Sequence, residues 1–205
     1  MTPSPSVRLV GNAPTALDRA AFVDAGEVVI RINNAFGFSG VNGARTTHLV
    51  LVNCGGQMRE WLDEPGFADR LLVRTAGEIL LPIHPGKDDL ADPPLSQDER
   101  TAPDARNYAA EAVHALEAAG RPVAVMPAAI FLKACRLIGY ERPERGMDAP
   151  STGLLTLLWA LERYAGPIDV LGFGFEGWSG HRWSRERAIF EDFEAKGRIR
   201  LHPIA

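Results

Sequence analysis

Apolar and polar positions along the chain follow two rhythms. Short apolar runs at Val7–Val10, Val28–Ile32, His48–Val52, Val123–Met126, Ile168–Leu171 and Ile199–Leu201 read as buried strands. Leu71–Arg74 and Leu80–Ile83 read as two more. Longer stretches carry apolar residues every three or four positions, the stripe of an amphipathic helix. Asp104–Ala119 is the clearest, with Tyr108, Ala112, Leu116 and Ala119 on one stripe. Thr15–Ala25 is a second, with Leu17, Ala21 and Phe22 expected inward. Further helices are expected near Met58–Leu62, over Pro127–Ile138, from Ser151 to Tyr164 and over Ser184–Lys196. Strands alternating with helices predict an α/β fold: a single Rossmann-like domain with a mostly parallel, twisted sheet flanked by helices.

Length supports one domain over 1–205, large enough to bury a core without staples. Lys+Arg number 22 and Asp+Glu 26, a net charge of −4, which argues against a broad nucleic-acid or anionic-membrane surface. No apolar run reaches the length of a membrane span, so no integral membrane segment is expected. Met1–Ser6 lacks the charged start and apolar core of a secretory signal. The two cysteines, Cys54 and Cys135, are far apart in apolar settings, so neither a disulfide framework nor a C-x-x-C knuckle is expected. Free buried thiols in a reducing, cytoplasmic compartment fit better. The 20 glycines and 15 prolines imply many turns. His84–Pro103 is the least regular stretch and is expected to be a functional or mobile loop, a candidate lid.

Four clusters carry candidate chemistry. Gly11-Asn12-Ala13-Pro14 follows the first strand, where a Gly-Asn turn lets backbone approach a ligand and the Asn amide both donates and accepts. Ile30-Arg31-Ile32-Asn33 ends the second strand, and Arg45-Thr46-Thr47 follows. Asn33 is expected in the crevice, and Arg45 either holds its loop or faces a ligand anion. Pro150-Ser151-Thr152-Gly153 opens a helix, where hydroxyls and free N–H groups suit a phosphate or a base edge. Gly172-Phe173-Gly174 follows a strand, and His181 then precedes Glu186 with four residues between them. An imidazole suits general-base work at neutral pH. There is no G-x-G-x-x-G and no G-x-x-x-x-G-K-[ST], which removes the main support for dinucleotide and P-loop readings.

In order and spacing these clusters resemble the animal-type sialyltransferases, glycosyltransferase family 29. Gly11-Asn12, Ile30-Arg31-Ile32-Asn33 and Arg45-Thr46-Thr47 resemble the large sialyl motif. Pro150-Ser151-Thr152-Gly153 through Asp169-Val170-Leu171-Gly172-Phe173-Gly174 resembles the small one. His181-Arg182-Trp183-Ser184-Arg185-Glu186 is similar to the very small motif. The Val10-Gly11-Asn12-Ala13-Pro14 turn also resembles the Gly-Asn-Gly-Pro turn of the bacterial family-42 sialyltransferases.

The resemblance implies a GT-A-variant fold and inverting, metal-independent transfer of sialic acid from a CMP-sugar donor to a sugar hydroxyl. It needs no cofactor beyond the donor itself. By that likeness Asn12 and Asn33 would hold phosphate and ribose. Ser151, Thr152 and Gly153 would cradle the nucleotide or the donor carboxylate. Gly172, Phe173 and Gly174 would line the cytidine side, His181 would be the general base, and Glu186 would brace the loop. The partners implied are a CMP-sugar and a glycan or lipid-linked glycan acceptor. Related 2-keto sugars such as Kdo also travel as CMP donors. The family's inter-motif disulfide has no counterpart here, because neither cysteine occupies a matched position, which fits a bacterial cytoplasmic protein. The family's separate histidine–aromatic motif is absent or collapsed into Trp178–Trp183. Two other readings stay open: a nucleotide-binding protein without transfer activity, and a nucleotide-sugar hydrolase.

Overall fold

A computed structural model describes residues 4–90, 93–101, 106–140 and 149–204. Its centre is a seven-stranded sheet. The strands are β1 (Val7–Val10), β2 (Val28–Ile32), β3 (His48–Val50), β4 (Glu78–Leu81), β5 (Val123–Val125), β6 (Ile168–Leu171) and β7 (Ile199–Leu201). Their spatial order is β5-β4-β3-β2-β1-β6-β7, and every neighbouring pair is parallel. The chain builds outward from β1 to β5 and then returns to the other side of β1 for β6 and β7. This reversal makes a topological switch point between β1 and β6, where open α/β sheets form their ligand crevice.

The helices are α1 (Ala20–Asp24), α2 (Gly55–Asp63), α3 (Leu71–Thr75), α4 (Gln97–Thr101), α5 (Ala109–Ala118), α6 (Ala128–Ile138), α7 (Thr152–Arg163) and α8 (Trp183–Ala195). Successive strand residues point to opposite faces, so the inner strands serve two cores, whereas the edge strand β7 turns Arg200 to solvent. Leu9, Ile30, Ile32, Val50 and Val170 pack with Leu154, Leu158, Ile130 and Phe190 from α6, α7 and α8. Leu49, Leu51, Ile79 and Leu81 pack with Met58, Trp61, Val73 and Leu116 on the other face. Helix α7 is enclosed on nearly all sides, from Thr152 to Leu158. That burial fixes the helix start against the sheet edge. No helix among the described residues is long and apolar enough to cross a membrane.

The structure corrects several expected elements. Leu71–Arg74 is not a strand but part of α3: Leu71 is exposed while Val73 and Ala76 turn inward at helical spacing. The fourth strand starts at Glu78, ahead of the expected Leu80. The expected helix over Thr15–Ala25 shrinks to α1. The Thr15 hydroxyl accepts from the Leu17 N–H and the Asp18 carboxylate from the Ala20 N–H, side-chain bonds that compete with a helical first turn. Val23 is the buried anchor of α1, whereas Ala21 is exposed. The helix expected from Asp104 begins at Ala109, and 104–105 lie outside the described residues.

In the irregular stretch from His84, Pro85–Leu90 forms a 3₁₀ turn with Lys87 over the Phe131 ring of α6 at 5.1 Å. Residues 91–92 and 102–103 of the candidate lid lie outside the described residues.

Candidate functional site

At the switch point the loops after β1 and β6 meet the starts of α7 and α8 in a cleft of about 230 Å³. The turn after β1 contributes Gly11 to Pro14, and the end of β2 contributes Ile32 and Asn33. Ser151, Thr152 and Gly153 come from the start of α7, Gly172 to Glu176 from the loop after β6. His181, Trp183 and Glu186 close the remaining side. The residues given a candidate role above share one cleft, except Arg45, which is not among its lining residues.

The glycines bring the loops together. Gly11 donates to the Leu171 carbonyl at 2.8 Å, and Ala13 donates to the Gly172 carbonyl at 2.8 Å. A Cβ on Gly11 would stand 2.3 Å from the Gly172 oxygen, and one on Gly153 would stand 2.6 Å from the Phe173 ring. Gly172 itself has φ +68°, in the left-handed region. The expectation that these glycines leave backbone bare for a ligand is thus amended. At Gly11 the space is filled by the neighbouring loop, and the glycines shape the cleft by packing its walls.

Ser151 is the N-cap of α7, its Oγ accepting from the Leu154 N–H at 3.1 Å. Its N–H donates to Glu186 Oε1 at 2.8 Å and its hydroxyl to Glu186 Oε2 at 2.5 Å. Both Ser151 donors are consumed within the protein. Thr152 and Gly153 carry N–H groups at the first turn of a twelve-residue helix, where no intrahelical acceptor exists. Their N–H groups and the helix dipole favour an anionic ligand. Glu186 is 1% exposed, and burial raises its carboxyl above the ordinary 4.5 against the lowering effect of the two Ser151 bonds. It braces the start of α7.

His181 is set by its surroundings. Its Nδ1 lies 2.6 Å from the Ala149 carbonyl, an acceptor only. In the neutral ring Nδ1 therefore carries the proton and Nε2 the lone pair. Indoles stand edge-on at both sides, Trp178 at 4.9 Å and Trp183 at 4.8 Å between ring centroids. Ala149 N–H donates to Gly180 O at 3.0 Å, and Arg182 Nη1 reaches the last carbonyls of α6, Ile138 and Gly139. These bonds tie the histidine loop to its neighbours on two sides.

Asn12 and Asn33 are oriented by backbone donors. Asn12 Oδ1 accepts from the Phe36 N–H at 3.1 Å, and Asn33 Oδ1 accepts from the Val52 N–H at 2.9 Å. In each amide the oxygen is engaged, which leaves the Nδ2 group as the donor for a ligand. Asn33 also sits at φ 50°, a left-handed turn that asparagine tolerates.

The loop-holding role proposed for Arg45 belongs chiefly to Arg31. The Arg45 side chain is exposed and donates to the Glu27 carbonyl at 3.2 Å, while its backbone N–H donates to Asp24 Oδ1 at 2.8 Å. Arg31 is fully buried, and its Nε reaches Arg45 O and Thr46 Oγ1 at 3.1 Å each. Its Nη2 reaches Asn42 O at 2.7 Å and Gly43 O at 3.0 Å. Burial lowers its pKa to about 10, partly offset by Asp24, so it stays charged at neutral pH. In the Ile30-Arg31-Ile32-Asn33 motif Arg31 carries no expected role. The available signal was a charged residue between Ile30 and Ile32 in an otherwise apolar strand.

Cys135 is buried and Cys54 half-buried, and burial pushes both thiols up to about 12. Among the described residues no three His, Cys, Asp or Glu side chains gather as a metal-ligand group.

No family model matches the chain. It is 27% identical to the urease operon 23 kDa accessory protein of Rhizobium meliloti (strain 1021), over 97% of this chain and 94% of that one. Among solved structures it is similar to a mammalian sialyltransferase, with a TM-score of 0.56 and 16% identity over 97% of this chain and 69% of the other. A mammalian sialyltransferase in complex with Gal-beta-1-3GalNAc-ortho-nitrophenol gives 0.50 and 12%, over 96% of this chain and 69% of that one. At these identities the likeness is one of fold: a parallel seven-stranded α/β sheet flanked by helices, of the sialyltransferase-like kind.

Proposed function

We propose that this chain is a metal-independent, inverting glycosyltransferase that moves a sialic acid or a related 2-keto sugar, such as Kdo, from a CMP-sugar to a glycan hydroxyl. The observation that carries this reading is the convergence of residues 140 to 170 positions apart in sequence, the Gly11–Asn12 turn with the Ser151–Gly153 helix start and His181, on one cleft at the switch point. The sialyltransferase-like fold supports it.

In this reading the Thr152 and Gly153 N–H groups and the Asn12 and Asn33 amides bind the donor's anionic part. Their dipoles offset the charge that grows on the departing CMP phosphate as the bond to the sugar C2 breaks with oxocarbenium character. His181 takes the proton of the attacking acceptor hydroxyl on Nε2, while the Ala149 carbonyl holds the proton on Nδ1 and stabilises the imidazolium that results. Glu186 holds Ser151 and, through it, the helix start.

The test is a thermal-shift series with CMP, UDP, GDP and NAD without divalent metal, followed by transfer assays with CMP-sugars. CMP at about 100 times its dissociation constant is expected to add roughly 2.7 kcal/mol, and UDP, GDP and NAD far less. No stabilisation by CMP and no turnover overturn the proposal. A second reading is favoured by the likeness to an accessory protein: a nucleotide-binding protein that keeps the cleft without transfer. CMP stabilisation with no turnover on any CMP-sugar supports that reading.

A further inference from the structure

A second cavity of about 380 Å³ opens on the far side of the Asn12-Ala13-Pro14 turn and shares those three residues with the first cleft. Its outer wall is the loop between β2 and β3, which contributes Phe36, Gly37, Val41 and Asn42. Phe36 is 60% exposed and Val41 37%. Of the five large hydrophobic residues exposed among the described residues, these two lie on one loop and line one cavity. Clustered exposed apolar side chains at a cavity mark a binding surface more than scattered ones do.

The loop is imposed, not incidental. Ala35 and Ser39 have φ of 47° and 61°, a left-handed backbone that non-glycine residues rarely adopt. Arg31 holds this backbone from within through Asn42 O and Gly43 O, and Asn42 Nδ2 donates to Phe36 O at 3.1 Å. The Arg19 N–H donates to Val41 O at 2.7 Å from the side of α1. A buried arginine with one nitrogen, Nη1, lacking a partner among the described residues is spent on fixing a loop that holds two apolar side chains toward water. Several of the polar groups nearby are committed elsewhere. The Asn42 backbone carbonyl accepts from Arg31 and its Nδ2 donates to Phe36 O, and the Thr15 hydroxyl accepts from the Leu17 N–H.

We propose that this cavity is a subsite for an alkyl or aryl group carried by the saccharide acceptor, whose sugar lies in the adjoining cleft with its hydroxyl toward His181. The inference rests on the transferase reading for the identity of the occupant. Continuity through the shared turn argues for a single extended ligand site. Phe36 is joined to both halves, because its ring lines the apolar cavity while its N–H orients Asn12.

The test compares hexyl and methyl β-galactoside binding by calorimetry, with CMP present, in the wild type and in the Phe36→Ser and Val41→Ser variants. Each methylene buried is worth about fourfold in affinity, so hexyl is expected to bind at least about tenfold more tightly than methyl. In both variants that ratio is expected to fall toward one. Equal affinities in the wild type, or a ratio that survives both substitutions, overturn the subsite. Self-association that Phe36→Ser abolishes, with no hexyl preference, also overturns it in favour of an interface between copies. A hexyl preference in a protein that neither binds CMP nor transfers supports the subsite and overturns the transferase reading instead.

Discussion

Glu186 receives both donors of Ser151, its N–H on Oε1 at 2.8 Å and its hydroxyl on Oε2 at 2.5 Å, across 35 positions of sequence. The contact joins the first turn of α8 to the N-cap of α7 and so fixes one wall of the cleft. Glu186→Ala leaves a buried N–H and hydroxyl without acceptors and is expected to cost about 2–3 kcal/mol. The Gln variant gives a sharper measurement. Burial holds the carboxyl above its ordinary 4.5, so the folded chain binds that proton more tightly than the unfolded one. This contribution to stability is fully present below 4.5 and is lost as pH rises through the higher folded value. Glutamine mimics the protonated acid at every pH. Urea melts are therefore expected to show wild type losing stability relative to Glu186→Gln as pH rises from 4 to 8. A difference independent of pH overturns the assignment.

Arg31 offers a second measurement. Arg31→Met fills most of the same volume but leaves the carbonyls of Asn42 and Arg45 without the arginine donor, the Gly43 carbonyl keeping only the Ser39 N–H, at an expected cost of about 3 kcal/mol. Arg31→Lys keeps the charge without the fork that serves both ends of the loop, and is expected to fall between. Limited proteolysis reads the local effect: cleavage within 36–46 rises in the Met variant before global unfolding does. Equal protection in both proteins removes the clamp role.

The glycines separate packing from binding. Gly11→Ala drives a Cβ to 2.3 Å from the Gly172 carbonyl, backbone that cannot swing away. It is expected to cost about 3 kcal/mol, the upper end of overpacking. Gly153→Ala meets the edge of the Phe173 ring at 2.6 Å, which can yield. A smaller loss of about 1 kcal/mol is expected there, together with weaker CMP binding as the ring is pushed into the cleft. Chemical denaturation and CMP titration of the two variants check this; equal stability losses contradict it.

Strand order was not written in any one segment, but the parallel sheet was, because six apolar runs alternated with helical stripes at the spacing of β-α units. The ends of elements were less legible. Leu71–Arg74 is too short for its period to distinguish strand from helix, and Thr15 and Asp18 diverted the start of α1 through side-chain bonds. The convergence of Gly11, Asn33, Ser151, Gly172 and His181 was legible as motif order. What each residue does was not. That Ser151 spends its donors on Glu186 is a three-dimensional fact with no local sequence signature, whereas the loop-holding role of Arg31, one of two roles open for Arg45, is signalled only by a charge inside an apolar strand.

His181 carries the last prediction. With Nδ1 held by the Ala149 carbonyl and indoles on both sides, the ring presents Nε2 in a fixed orientation. If that nitrogen accepts the acceptor's proton, His181→Ala lowers the transfer rate about 10²–10⁴-fold. CMP affinity should change little, because the donor's anionic part rests on α7 and the two asparagines. Added imidazole is expected to restore part of the rate, which a purely structural loss would not allow. Trp183→Ala is expected to fall between, since the ring keeps its Ala149 bond and loses one of its two walls. Unchanged transfer in His181→Ala sinks the base assignment. A loss that tracks CMP affinity and resists imidazole makes His181 a support of the cleft, with the proton leaving by another route.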